Sequence, residues 1–311
     1  MDSQTAPPTV SVITATYNRS NVLAPAVESV RRQTFRDWEL WVVGDACTDD
    51  TEQVVASFKD PRVRFFNLAV NVGEQSGPNN EGCRRARGRF IAYLNHDDLW
   101  LPDHLETALG AINETGADLV YTQVDVVLPG GTNYLGGVAP RGRHRPGGLV
   151  VASSWLMRRE LVEEIGPWRF YRECRNIPSQ DWLFRVWKAG RQIRPVPRMT
   201  VVAFHTVWRP GVYARREAHE NLHYFERMCR EPDFRERELA SMPTAPPRPW
   251  WQRWRPLSTL PTRAAHKAVY AAALALGRDP YAALCFLRGE RKGESIDRLR
   301  RLRGLGEIGR R

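Results

Sequence analysis

Two carboxylates follow directly on an apolar run. Phe90–Leu94 gives way to Asn95-His96-Asp97-Asp98. Hard oxygen ligands of this kind suit Mg²⁺ or Mn²⁺, and a cation seated there would offer a place for phosphate. Asp97 is the first candidate ligand. Asp98 is either a second ligand or the cap of the next helix. Amide, hydroxyl and acidic groups also follow two earlier apolar runs, at Thr16-Tyr17-Asn18 and at Asp45. No GxGxxG follows the first run and no GxxxxGK[ST] occurs anywhere, which argues against phosphate held by a glycine-rich loop. Asp181 precedes an apolar pattern at Leu183, Val186 and Trp187, where an acid is favoured by the helix dipole whatever else it does. His205 follows the apolar run Val201–Phe204 and reads equally as a ligand or as an ordinary histidine.

These residues need elements to hold them. Val10–Thr16, Trp38–Val43, Val63–Phe66, Phe90–Leu94 and a segment beginning at Leu119–Tyr121 are short β-rich runs. Between them Leu23, Val27 and Val30, then Val54, Val55 and Phe58, then Leu105, Ala108, Leu109 and Ile112 recur at helical spacing. Alternating strands and helices predict an α/β fold with a mostly parallel sheet covered on both faces. Ligands of such sheets lie at the carboxyl ends of strands, near a topological switch point. Leu99–Pro102 reads as a loop.

Composition separates the chain into two regions. The 311 residues carry a net charge of +11, and residues 245–311 hold fifteen basic and five acidic side chains, most of the excess. Residues 9–240 read as one domain, with 9–125 and 126–240 as its halves. Residues 241–249, with four prolines, read as a linker, and 250–311 as a basic helical extension. Trp250, Trp251 and Trp254 lie among arginines, a pattern suited to an anionic bilayer surface. Packing of the tail on the domain is the competing reading. No apolar run approaches the roughly 20 residues of a spanning helix, no signal peptide is evident, and five scattered cysteines suggest reduced thiols. The expected location is cytoplasmic, peripheral to the inner membrane face if the tail binds lipid. Nucleic acid is a poor fit, since no module for it is present.

Val10–Arg19, Val42–Thr51 and Ile91–Asp98, in this order and spacing, resemble the family-2 glycosyltransferases, over residues 9 to about 210. The resemblance implies the GT-A fold and a nucleotide-sugar donor. It places Thr16 and Tyr17 at the donor base, and Asp45 as acceptor for a uracil-type ring N–H, a choice consistent with an acceptor-only carboxylate. Asn95, His96 and Asp97 occupy the DxD slot, with Asp97 on the metal and an amide where the first acid would stand. Gly77–Gly82 departs from the family's Ala-Arg-Asn-x-Gly: Asn80 and Gly82 fit, the arginine is missing, and Arg84 and Arg85 follow one turn later.

In the second half, the resemblance makes Asp181 the catalytic base, with Gln180 in place of the usual glutamate, and puts His205 near the metal. Arg141, Arg143, His144 and Arg145 fall in a loop that reads as a lid or as plain solvated chain. The implied reaction is a single in-line displacement with inversion, from a UDP-sugar to an acceptor hydroxyl on a glycan, lipid or small molecule. A degenerate, non-catalytic domain that binds through its tail and a nucleotidyltransferase are the alternatives.

Overall fold

The computed structural model describes residues 6–205, 209–218, 220–243, 260–306 and 308. From the N-terminus, β1 (Val10–Thr16) leads through α1 (Ser20–Arg31) to β2 (Trp38–Gly44), and α2 (Thr51–Ser57) to β3 (Val63–Asn67). Helix α3 (Ser76–Arg85) then returns the chain to β4 (Phe90–Tyr93). The two-residue β5 (Leu99–Trp100), α4 (His104–Thr115), β6 (Leu119–Val127), β7 (Asn133–Gly136) and β8 (Trp155–Arg158) follow. Helices α5 (Arg159–Ile165) and α6 (Pro178–Lys188) precede the long β9 (Ile193–Phe204), and α7 (Asn221–Arg230) and α8 (Phe234–Ser241) close the first region. The tail forms α9 (Leu260–Ala275), α10 (Pro280–Leu287) and α11 (Glu294–Leu302).

The sheet runs β3-β2-β1-β4-β8-β6-β9-β5, with β7 on β6. Pairing is parallel across β3-β2-β1-β4 and between β6 and β9. It turns antiparallel where β8 inserts between β4 and β6, so the first half is all parallel and the second half mixed. Leu99–Trp100 is not a loop: it pairs with Val201 and Val202.

Alternation along the strands explains why both faces are covered. Val10 and Val12 of β1 and Phe90 and Ala92 of β4 enter one core with α1 and α4. Ile13, Ile91 and Tyr93 enter the other, with Trp155, Trp182 and Leu183. A period of two sends successive side chains to opposite faces. Trp155, Trp168 and Trp182 pack with ring centroids near 6.1 Å, a large apolar mass beneath the second half.

Strand β1 has β2 on one side and β4 on the other. The chain builds outward to β3 and then crosses back, so a crevice opens above β1 where the direction of winding reverses. Thr16 stands beside Gly44, and Asp45 N–H donates to the Thr16 carbonyl at 2.8 Å. Leu94 N–H donates to the Ile13 carbonyl at 2.9 Å. Three candidate segments thus leave the sheet at one edge.

The tail packs on the domain. Asp279 accepts from Tyr281 and Ala282 N–H as the cap of α10, and from Asn176 Nδ2 at 2.8 Å. Gly293 N–H donates to the Cys174 carbonyl at 2.8 Å, Gly211 N–H to that of Leu302 at 2.7 Å, and Tyr213 N–H to that of Arg303 at 3.1 Å. Trp250, Trp251, Trp254 and linker residues 244–249 lie outside the described residues. No helix among the described residues is long and apolar enough to cross a membrane.

Candidate active site

A cavity of about 280 Å³ lies over the carboxyl ends of β1, β2 and β4. Thr16, Tyr17, Asp45, Asn95, His96, Asp97, Asp98 and His205 all line it. The strand ends bring together residues up to 189 positions apart in sequence.

One end of the cavity is built around Asp45. Its two oxygens accept from the N–H groups of Val72 and Gly73, each at 2.7 Å. A carboxylate oxygen can take a second hydrogen bond, so this bracing leaves Asp45 able to accept another donor. Glu74, next along the wall, is pushed up to about 7, by burial first, with the Asp45 charge adding to it and Arg300 opposing it. Asn18, at φ 48°, accepts from Thr48 and Asp49 N–H through its side-chain oxygen and ties the two turns together.

The acidic segment behaves unevenly. Asp97 is 6 % exposed and reaches the cavity, with His96 Nε2 3.9 Å from its carboxylate. His96 Nδ1 lies 3.2 Å from the Ala15 carbonyl, which fixes the ring. Asp98 is committed elsewhere. One oxygen accepts from Phe204 N–H at 3.1 Å, and the other contacts Ser153 Oγ at 2.5 Å and Asn95 Nδ2 at 2.8 Å. Burial, then the neighbouring Asp97 charge, push its carboxyl up to about 8. Asp98 therefore joins β4 to β9 and is poorly disposed as a ligand. Nor does it cap a helix, because the residue before α4 is Asp103.

His205 follows β9, held by its N–H on the Val127 carbonyl at 2.9 Å. Burial pushes its imidazole down to about 4, with Arg303 acting in the same sense and Asp97 against it. The ring is neutral at neutral pH, and its Nδ1 is buried with no hydrogen-bond partner among the described residues. An orphaned neutral nitrogen near a carboxylate suits a divalent cation. Among the described residues no three His, Cys, Asp or Glu side chains converge as a cage. A cation on Asp97 and His205 would complete its shell from phosphate oxygens and water, which fits Mn²⁺ or Mg²⁺.

Two expected site residues, Asn80 and Asp181, do not line the cavity. Asn80 is outside the wall: it clasps the Trp168 backbone, donating to its carbonyl and accepting from its N–H, both at 2.9 Å. Its contribution is to hold Trp168, which does line the cavity. Asp181 does not face the cavity either. Its oxygens lie 3.2 Å from Arg185 Nε and 3.5 Å from Arg169 Nη1, because Arg185 is one turn further along the same helix face. Ser179 and Gln180 of that turn line the cavity instead, and Gln180 clasps Val150 through N–H and carbonyl at 3.0 and 2.8 Å. Arg84 and Arg85 pair with Glu81, and Arg85 stacks 3.5 Å over the Phe66 ring, away from the site.

The loop read as a lid or as plain solvated chain is tethered. Arg145 donates to the Tyr270 hydroxyl at 3.2 Å, and burial lowers His144 to about 4.

Residues missed in the sequence close the top. Ile296, Leu299, Arg300, Arg303 and Leu305 line the cavity from the tail, and Tyr213 from the loop before α7. Arg19, 1 % exposed, holds that loop by donating to the carbonyls of Val212 at 2.9 Å and Glu217 at 2.8 Å. The signal was present: Ile296, Leu299, Arg300 and Arg303 recur at helical spacing, an apolar stripe with arginines inside it.

Residues 11–166, half of the chain, match the description "Glycosyl transferase family 2". An Escherichia coli protein named UDP-Glc:alpha-D-GlcNAc-diphosphoundecaprenol beta-1,3-glucosyltransferase WfgD is 30% identical over 118 residues, 38% of this chain and 46% of that protein. The succinoglycan biosynthesis protein ExoO of Rhizobium meliloti is 38% identical over 120 residues, 39% of this chain and 34% of that one. The chain thus spans less than half the length of these relatives. The crystal structure of S. aureus TarS in complex with UDP-GlcNAc shares the fold, with a TM-score of 0.52 at 16% identity, covering 91% of this chain and 92% of that one.

Proposed function

Because the chain belongs to glycosyl transferase family 2 and has the GT-A fold, we propose that it transfers a sugar from a UDP-sugar to an acceptor hydroxyl with inversion. The observation that carries this reading is the convergence of Tyr17, Asp45 and Asp97, from three strand ends, on one cavity at the switch point. Tyr17 offers a ring face to the base and Asp45 an acceptor for its N–H. Binding energy spent there, far from the reacting bond, orients the sugar. Asp97 and His205 would hold a divalent cation, which when bound stabilises charge on a departing diphosphate as a Lewis acid.

Asp181 is the proton acceptor in this reading. In this reading its carboxylate leaves Arg185 as the acceptor alcohol is seated, and Ser179 and Gln180 of the same helical turn already line the cavity. Asp181→Asn should lower kcat by about 10²-fold or more with UDP affinity unchanged; unaltered kcat would remove Asp181 from the reaction. The named activities of the relatives point to an acceptor in cell-surface polysaccharide or glycolipid synthesis. Leu276, just after α9, and Phe286 and Leu287 on α10, each more than 60 % exposed, provide apolar contact for an anionic membrane carrying such an acceptor. Sedimentation with phosphatidylglycerol vesicles tests this, and binding unchanged in Phe286→Ser, Leu287→Ser would reject it.

The primary test is a screen of UDP-, GDP- and dTDP-sugars for hydrolysis and thermal stabilisation, with and without manganese. Stabilisation by UDP that is lost in Asp97→Ala supports the reading. A protein indifferent to every nucleotide would end it.

A further inference from the structure

A nucleoside diphosphate brings two phosphates into a buried cleft, and negative charge there needs positive partners. The described walls of the cavity contain many acids: Asp45, Glu74, Asp97 and Asp98. Their only Lys or Arg side chains are Arg300 and Arg303, both from the tail. The two have different attachments. Arg300, 8 % exposed, donates through Nη1 to the Gly73 carbonyl and through Nη2 to that of Gly306 at 2.7 Å. It anchors α11 to the loop that braces Asp45. Arg303 has its guanidinium carbon 5.8 Å from the centre of the Tyr213 ring, which meets the His96 ring edge-on at 6.2 Å. Arg303 and Asp97 act electrostatically on the same two side chains, His205 and Tyr213, in opposite senses. Both side chains also line the same cavity. The helix is held there by backbone hydrogen bonds from Gly211 and Tyr213, by Tyr171 on Asp297 at 2.9 Å and by Arg172 on the Ile308 carbonyl at 2.9 Å.

We propose that Arg303 binds the diphosphate of the donor, so that the C-terminal helix forms a working wall of the active site. The inference rests on the nucleotide-sugar reading above. A planar guanidinium with several N–H donors matches phosphate oxygens in charge and geometry, and a fixed helix delivers it without the cost of ordering a loop. Here the cation that faces the phosphates lies more than 250 residues along the chain from Tyr17 and Asp45, which face the base.

The experiment titrates full-length protein with UDP and with uridine, by calorimetry in manganese buffer. Arg303→Gln should weaken UDP binding by about tenfold or more and leave uridine within twofold. Arg303→Lys, which keeps the charge, should recover part of the loss. UDP affinity unchanged in Arg303→Gln would overturn the assignment. Equal losses for UDP and uridine would overturn it too, by showing that the residue only supports the fold. Failure of the unaltered protein to bind UDP would instead bring down the donor reading, and this inference with it.

Discussion

The strand-end edge and the tail that covers it reach the same cavity by opposite routes. At the edge, Tyr17, Asp45 and Asp97 stand directly after strands, and the sheet order alone brings them together. In the tail, Arg300 and Arg303 depend on a chain of tertiary contacts: the Asp279 cap, the Gly293 and Gly211 hydrogen bonds and the Arg300 clamp. Strand ends are fixed by the core, so their chemistry tolerates change elsewhere. A docked helix is fixed by a few polar contacts at its margins. Damage to the first region should therefore act locally on chemistry, and damage to the second should act through position.

The largest expected effect tests the strand-end side. Asp97→Asn should reduce transfer by about 10²-fold or more with little change in the unfolding midpoint. A large loss of stability would mean that this edge is not rigid in the sense argued. The next attacks the link between the regions. Arg19→Ala leaves the buried carbonyl of Val212 and the part-buried carbonyl of Glu217 without their donor and should cost about 2–4 kcal/mol in urea unfolding. UDP affinity should fall alongside, because Tyr213 loses its support; unchanged affinity would mean that tail and edge work independently. Smaller again, Asn80→Ala removes both hydrogen bonds to Trp168 and should cost about 1–2 kcal/mol, with weaker donor binding. A neutral result would show that Trp168 is held by its aromatic neighbours alone.

The mildest slope concerns pH and the floor beneath both regions. His104 is wholly buried, stacked on Trp100, with Nδ1 2.7 Å from Thr200 Oγ1. Burial pushes it down to about 3, against a small opposing pull from Asp103. The folded value lies below the unfolded value near 6.5, so its contribution is complete above pH 6.5. It drains as pH falls toward 3, by up to about 1.4 kcal/mol per pH unit. Urea midpoints from pH 7 to 5 should show the slope, and His104→Gln should flatten it. An identical slope in the variant would assign the acid sensitivity elsewhere.

Legibility followed the same division. Asp45 and Asp97 could be found because residue type and strand end coincide. The helices over the first core were visible as periodic apolar positions, and Pro102 marked the start of one. The short β5 was not, since two residues carry no period and its pairing with β9 is a tertiary event. Asp181 was placed by its position in a motif, which says nothing of where a side chain turns; Arg185 one turn on decides that. In the tail, Arg298, Arg300, Arg301 and Arg303 look alike as a basic cluster. Only the stripe begun by Ile296 and Leu299 distinguishes the two that face inward from Arg298 and Arg301, which are exposed.

Gly73 is where these regions touch. Its N–H is taken by Asp45, its carbonyl by Arg300, and its α-carbon by the Ile308 side chain, which would collide with any Cβ there. One peptide link is thus gripped from below by the Asp45 carboxylate and from above by Arg300 and Ile308. Whatever displaces Asp45 acts a single residue away from the anchor of α11.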